Sequence, residues 1–197
     1  QANGKIDCRG LGADLITLSA HKMHGPKGVG ALVVRKGVRI APRQVGGGQE
    51  FERRAGTENV AGIVGFGAAA RLPKAPLADL RDLLWNEIRK RLPDARFNGH
   101  PTERLPHIVN AGFRGVDGEA IVIAMDAAGV CVSSGSACAS ASLEPSHVLI
   151  AMGKSAEEAR GSIRFSVGAD TTREEIEKAA AALENVGKRL KAISTVE

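Results

Sequence analysis

Two residues of this chain combine reactive groups with neighbours suited to using them: Lys22 in "SAHKMHGPKG" and Cys138 in "SSGSACASAS". Lys22 follows a short apolar run, "DLITLSA", and leads into a glycine-rich turn, the place where the carboxyl end of a strand opens into a crevice. Taking an ammonium out of water without a partner is costly. A lysine useful there is therefore one held neutral or bound to an aldehyde. Ser19 and His21 offer donors for an anionic group such as a phosphate, which would anchor a cofactor to which Lys22 forms an imine. On these residues alone a second reading stays open, an exposed loop lysine beside a satisfied turn histidine. The glycines do not form a P-loop, because the G-x-x-x-x-G-K-[ST] spacing is absent. Cys138 lies among Ser, Gly and Ala, which give a loop mobility at little steric cost.

The remaining thiols and imidazoles read as structural. Cys131, in the apolar run "GVCVS", is expected to be a buried small hydrophobe, and Cys8 a surface or turn thiol. The spacing of Cys8, Cys131 and Cys138 gives no support to a zinc site, so no metal is expected. His100, His107 and His147 read as loop or surface residues. Three cysteines without C-x-x-C pairing point to a reducing compartment, by default the cytoplasm.

The 197-residue chain is long enough for one large or two small domains. With 43% hydrophobic and 3% aromatic residues it must build its core from Ala, Val, Ile and Leu, and it lacks stacking platforms for single-stranded nucleic acid. The net charge of +5 is spread over "VRKGVRIAPR", "FERRAG" and "NEIRKRL" with acids interleaved, which reads as solvated faces that still attract an anionic cofactor or an acidic protein. No apolar run approaches the roughly 20 residues of a membrane span. The chain opens in mid-phrase at "QANGKIDCRG", without methionine or a signal-like start.

The elements that would position these residues follow from periodicity. "DLITLSA" and "ALVV" read as two strands around the lysine loop, and "NVAGIVGFGAAAR" as a buried helix. "LPKAPLAD" reads as a domain edge. Leu80, Leu83, Leu84, Ile88 and Leu92 form one helical stripe. The strand-like "RFNG" and "HIVNAGF" come next, then a helix capped by Asp117 and stopped by Gly129. "GSIRFSVG" is a strand, and the closing helix carries a capping box of Thr171 with Glu174 and a stripe of Ile176, Ala180, Leu183, Val186, Leu190 and Ile193.

Taken together, "SAHKMHGPKGVGAL", "GGGQEFERRAGTENVAGIVG", "SSGSACASASLEPSHVL" and "SIRFSVG" resemble the cysteine desulfurases, pyridoxal-phosphate enzymes of the class V aminotransferase superfamily, in their NifS/IscS branch. The resemblance runs over the whole chain and implies an α/β fold. Residues 1–72 would be the C-terminal part of a fold type I large domain with a mixed, mostly parallel sheet, and 73–197 a small α+β domain carrying the cysteine loop at about 133–144. It implies that Lys22 holds pyridoxal 5'-phosphate as an imine and acts as base at the substrate α-carbon. Ser19 and His21 would bind the cofactor phosphate, and Gln1 the phenolic oxygen of its ring. Thr57 would reach the phosphate of a neighbouring subunit in a homodimer, and Arg164 would clamp the carboxylate of L-cysteine. Cys138 would be the nucleophile, leaving alanine and a persulfide whose sulfur passes to an iron–sulfur scaffold or another acceptor.

Members of this family are about twice as long, and their ring-pairing aspartate precedes the position of Gln1. The 197 residues alone are therefore expected not to turn over L-cysteine. The alternative is a non-catalytic interaction module that keeps a scaffold-docking surface. Retention of Lys22, Cys138 and Arg164 speaks for the enzyme.

Overall fold

The computed structural model describes residues 9–72, 76–135 and 144–193. The chain divides into two compact units, Gln1–Lys74 and Ala75–Glu197.

In the first unit, β1 (Leu15–Ser19) pairs antiparallel with β2 (Gly30–Val34), with Ser19 opposite Gly30. A Cβ on Gly30 would stand 2.6 Å from the Leu18 carbonyl oxygen, so the ladder closes only with glycine there. Between the strands lies a 3-10 turn, Ala20–Met23. Helix α1 (Val60–Arg71) is capped by Asn59, whose side chain accepts from the Gly62 N–H at 3.0 Å. The sequence predicts a buried helix; instead α1 rests its glycine side on the turn segment, with Gly65 against Pro26, and leaves Val60, Ile63 and Val64 exposed.

The second unit is built on an antiparallel sheet in the order β3 (Arg96–Phe97), β4 (Ile108–Gly112), β5 (Ser162–Ser166). Alternation along these strands sends Phe97, Val109, Ala111, Ile163 and Phe165 to one face. There they join the core formed with α2 (Ala78–Arg91), α3 (Gly118–Ala127) and α6 (Arg173–Ile193). The predicted stripes do this work: Leu84 and Ile88 from α2, and Ile176, Leu183 and Val186 from α6, are buried. Asp117 caps α3 through bonds from Glu119 N and Ala120 N, and Gly129 beyond its end has φ 77°. Two short helices that periodicity does not reveal, α4 (His147–Ala151) and α5 (Ala156–Arg160), complete the unit.

Three expectations need correction. The α6 capping box lies one residue later than the sequence suggests. Thr172 Oγ1 accepts from Glu175 N at 3.2 Å and Glu175 Oε2 from Thr172 N at 2.9 Å, while Thr171 Oγ1 accepts from Gly168 N. Cys131 is exposed, because the extended segment alternates and gives its inward positions to Val130 and Val132. His107 is buried rather than superficial, since it immediately precedes the core strand β4 and its carbonyl accepts from Val167 N. His100 and His147 are exposed.

Two outcomes follow. Thr172→Ala is expected to cost about 1 kcal/mol, read as a lower urea midpoint. Burial pushes the His107 imidazole below its usual 6.5. The unfolded chain then binds that proton more tightly, so the contribution of His107 is full above pH 6.5 and lost as pH falls toward the folded value. Urea titrations between pH 8 and 5 should show His107→Gln with a flatter decline than the parent.

Candidate active site

β1 ends at Ser19 in extended conformation (φ −120°, ψ 123°), and the chain turns at once into the 3-10 segment carrying His21 and Lys22. Ala20, fully buried, pins that turn: its N–H bonds the Val29 carbonyl at 3.1 Å and its carbonyl accepts from Gly25 N at 2.9 Å. His24 closes the turn in the left-handed region at φ 65°. Pinned through its backbone, the turn presents His21 and Lys22 outward. Ser19 does not spend its hydroxyl on capping the turn it opens. Among the described residues Lys22 has no carboxylate partner. A hydroxyl, an imidazole and a primary amine within residues 19–22 are a donor set that fits a phosphorylated aldehyde.

Thr57 is exposed and follows a loop tied across itself by two bonds, Ala55 N to the Gln44 carbonyl and Gly56 N to Gln49 Oε1, each 3.0 Å. Within it Glu50, Phe51 and Glu52 all have positive φ (48°, 57°, 62°), a left-handed run that costs roughly 1–2 kcal/mol per residue. Phe51 is 89% exposed, so burial of its ring does not offset that cost.

In the second unit Arg164 occupies the middle of β5, opposite Asn110 of β4, on the face turned away from the core. That face also carries Asn98 and Ser162, both buried. Arg164 is half-buried, and among the described residues its guanidinium has no hydrogen-bond or ion-pair partner. The segment leading to Cys138 is tethered to the same residue. Ser133 and Arg164 exchange both backbone bonds, 3.1 and 2.6 Å, and the Ser133 hydroxyl donates to the Gly135 carbonyl at 2.9 Å. Gln1, Cys8 and Cys138 themselves lie outside the described residues.

Sequence reasoning missed the polar face. Asn98 Nδ2 donates to Asn110 Oδ1 at 2.8 Å and to Ser162 Oγ at 2.9 Å, and Ser162 Oγ donates to the Glu158 carbonyl at 2.6 Å. The available signal was an asparagine at a non-core position in each of "RFNG" and "HIVNAGF". A cavity of about 520 Å³ opens at the Arg96 and Gly112 end of this face. Two of its three acids are engaged, Asp117 as the cap of α3 and Glu158 as the cap of α5 and the partner of Arg96 at 3.3 Å; the third is Glu157. The capping bond from Ser155 holds the Glu158 carboxyl below its ordinary range.

The family model described as "Aminotransferase class-V" matches residues 2–179. Among curated proteins, "Cysteine desulfurase 2" of Trichormus variabilis is 48% identical over 202 residues, covering 98% of this chain and 51% of its own length. "Cysteine desulfurase IscS" of Dictyoglomus turgidum is 49% identical over 191 residues, 93% of this chain and 48% of that protein. The chain thus spans about half the length of the curated relatives it matches. Among solved structures, a NifS-like protein from Rickettsia africae superimposes with a TM-score of 0.81 at 34% identity, covering 93% of this chain and 50% of that one.

The turn carrying Lys22 depends on the closure of β1 on β2. Gly30→Ala is expected to raise amide exchange at Ala20 and Gly25 by about an order of magnitude or more, while the amides of β4 and β5 keep their protection. Equal protection at Ala20 in parent and variant would show that the ladder does not fix the turn.

Proposed function

The chain belongs to the class-V aminotransferase family, and from that premise we propose that it is part of a cysteine desulfurase that uses pyridoxal 5'-phosphate. In this reading L-cysteine gives up its sulfur to Cys138, leaving L-alanine, and the persulfide sulfur passes to acceptors for iron–sulfur cluster assembly. One observation carries it: the amine of Lys22 stands exposed on the turn that ends β1, with no carboxylate partner among the described residues, in a chain whose likeness to desulfurases runs nearly from end to end.

The roles follow from the chemistry of each side chain. Ser19 and His21 hold the cofactor phosphate with a hydroxyl and an imidazole, and Gln1 bonds the phenolic oxygen of the ring. Lys22 would hold the cofactor through its amine and, with that amine free, would take the proton from the substrate α-carbon. When bound, pyridoxal phosphate supplies the electron sink that makes this carbon acidic. Arg164 orients the substrate through its carboxylate, for which the guanidinium fork is suited. The Cys138 thiolate attacks the substrate sulfur. The carbon–sulfur bond breaks, a sulfur–sulfur bond forms, and the carbon takes up a proton on the way to the alanine methyl group. Sulfur is oxidised and carbon reduced within the pair, so no external electron acceptor is needed.

In this reading residues 1–72 serve as part of the cofactor domain and 73–197 as the domain of the cysteine loop; the two compact units, which divide between Lys74 and Ala75, support it. Thr57 acts on the phosphate of a second subunit, which makes the working form a homodimer. Thiolate and persulfide chemistry suits a reducing compartment, the cytoplasm. Among the described residues no helix is long and apolar enough to cross a membrane.

Borohydride reduction of the full-length protein loaded with pyridoxal phosphate, followed by peptide mapping, is expected to place the reduced cofactor on Lys22. Lys22→Ala should lose the label and slow alanine formation by at least about two orders of magnitude. A label on Lys27, or undiminished alanine formation, would refute the assignment.

A further inference from the structure

The polar network on the Arg164 face has a direction, and its donor count fixes it. The Glu158 carbonyl only accepts, so the single proton of Ser162 Oγ goes there, across 2.6 Å. Ser162 Oγ must then accept from Asn98, which therefore presents its NH2 group at 2.9 Å. The second hydrogen of that NH2 goes to Asn110 at 2.8 Å, so Asn110 presents its oxygen to Asn98. The network is tight: Ser162 is fully buried, Asn98 is 7% exposed, and Gly112, opposite Ser162, leaves room for the Asn98 amide to reach across the middle strand. Because the carboxamide is planar, the nitrogen of Asn110 is turned away from Asn98 on the face it shares with Arg164, its register partner. Among the described residues that nitrogen has no acceptor, just as the Arg164 guanidinium has no anion.

We infer that Asn110 is a second substrate-binding residue, its amide N–H donating to the carboxylate that Arg164 holds, with Asn98 and Ser162 as positioning residues that fix the orientation of the Asn110 carboxamide. The inference rests on the proposed role of Arg164. A guanidinium binds a carboxylate strongly but leaves lone pairs open, and an oriented neutral donor beside it satisfies one of them without competing charge. A freely rotating asparagine would as readily offer its oxygen, which repels a carboxylate. The relay back to the α5 carbonyl removes that choice.

The test uses the full-length holoprotein and reads a preference rather than turnover: the affinity for L-alanine over L-alaninamide, which lacks the anionic carboxylate, by calorimetry. The parent is expected to prefer L-alanine, and Arg164→Ala to lose that preference. Asn110→Ala should lower the ratio about tenfold, in the range of one hydrogen bond to a charged group, with alaninamide affinity unchanged. Asn110→Asp keeps the acceptor toward Asn98 but turns a negative oxygen to the substrate, and should lower the ratio about a hundredfold. It supplies the reading if the alanine variant does not fold. Asn98→Ala should lower the ratio too, again with alaninamide unaffected. If the Asn110 variants keep the parental ratio while Arg164→Ala loses it, the inference is overturned and the role of Arg164 stands. Equal weakening of both ligands by the Asn110 variants would also overturn it, as a structural effect. A ratio retained in Arg164→Ala would overturn the carboxylate reading of that arginine and the role of Asn110 with it.

Discussion

The second unit depends on one constraint, the strict two-residue alternation of β5. In "SIRFS" it commits Ile163 and Phe165 to the core and Ser162 and Arg164 to the opposite face. A slip of one residue would turn a guanidinium into the hydrophobic core and expose Ile163 and Phe165. The register is therefore held by the hydrophobic effect on one side and by the Asn98, Asn110 and Ser162 bonds on the other. The same strand thus stabilises the fold and presents the cation, and the backbone of Arg164 also tethers Ser133, five residues before Cys138.

The first unit meets a different demand. In the proposed reading the amine of Lys22 must be reachable, and the fold fixes the backbone beneath it instead of enclosing the side chain. Buried Ala20, bonded through both its N–H and its carbonyl, and the close approach of Gly30 to Leu18 do this. Rigidity is put into the turn and freedom is left to the lysine, an arrangement suited to an amine that holds one partner and then releases it to act as base.

Much of this was legible in the sequence, for identifiable reasons. Helices α2 and α6 announce themselves because their stripes repeat at helical spacing, and the cap at Asp117 is local chemistry. The strand after Lys22, "ALVV", is short, β-branched and bounded by glycine. What was hidden depends on register or on neighbours. Cys131 and His107 exchanged their expected environments because a single apolar or polar neighbourhood does not reveal which way an alternating segment faces. The Asn98 network joins residues 12 and 64 positions apart, and only strand pairing brings them together. The capping box moved by one residue because Thr171 and Thr172 are both competent caps, and Thr171 is engaged by Gly168. Lys22 and Cys138 were singled out by residue type and surroundings, and the resemblance then supplied their roles.

The proposed chemistry turns on which thiol receives the sulfur. Cys138 lies in the small-residue sequence "SSGSACASAS", while Cys131, seven residues earlier, is exposed and would be a competing acceptor. The direct measurement is to give the full-length holoprotein one equivalent of L-cysteine, digest it without reductant, and weigh the cysteine-containing peptides. The account predicts one added sulfur atom on the Cys138 peptide and none on that of Cys131. Sulfur on Cys131, or alanine released with no protein-bound sulfur, would contradict it.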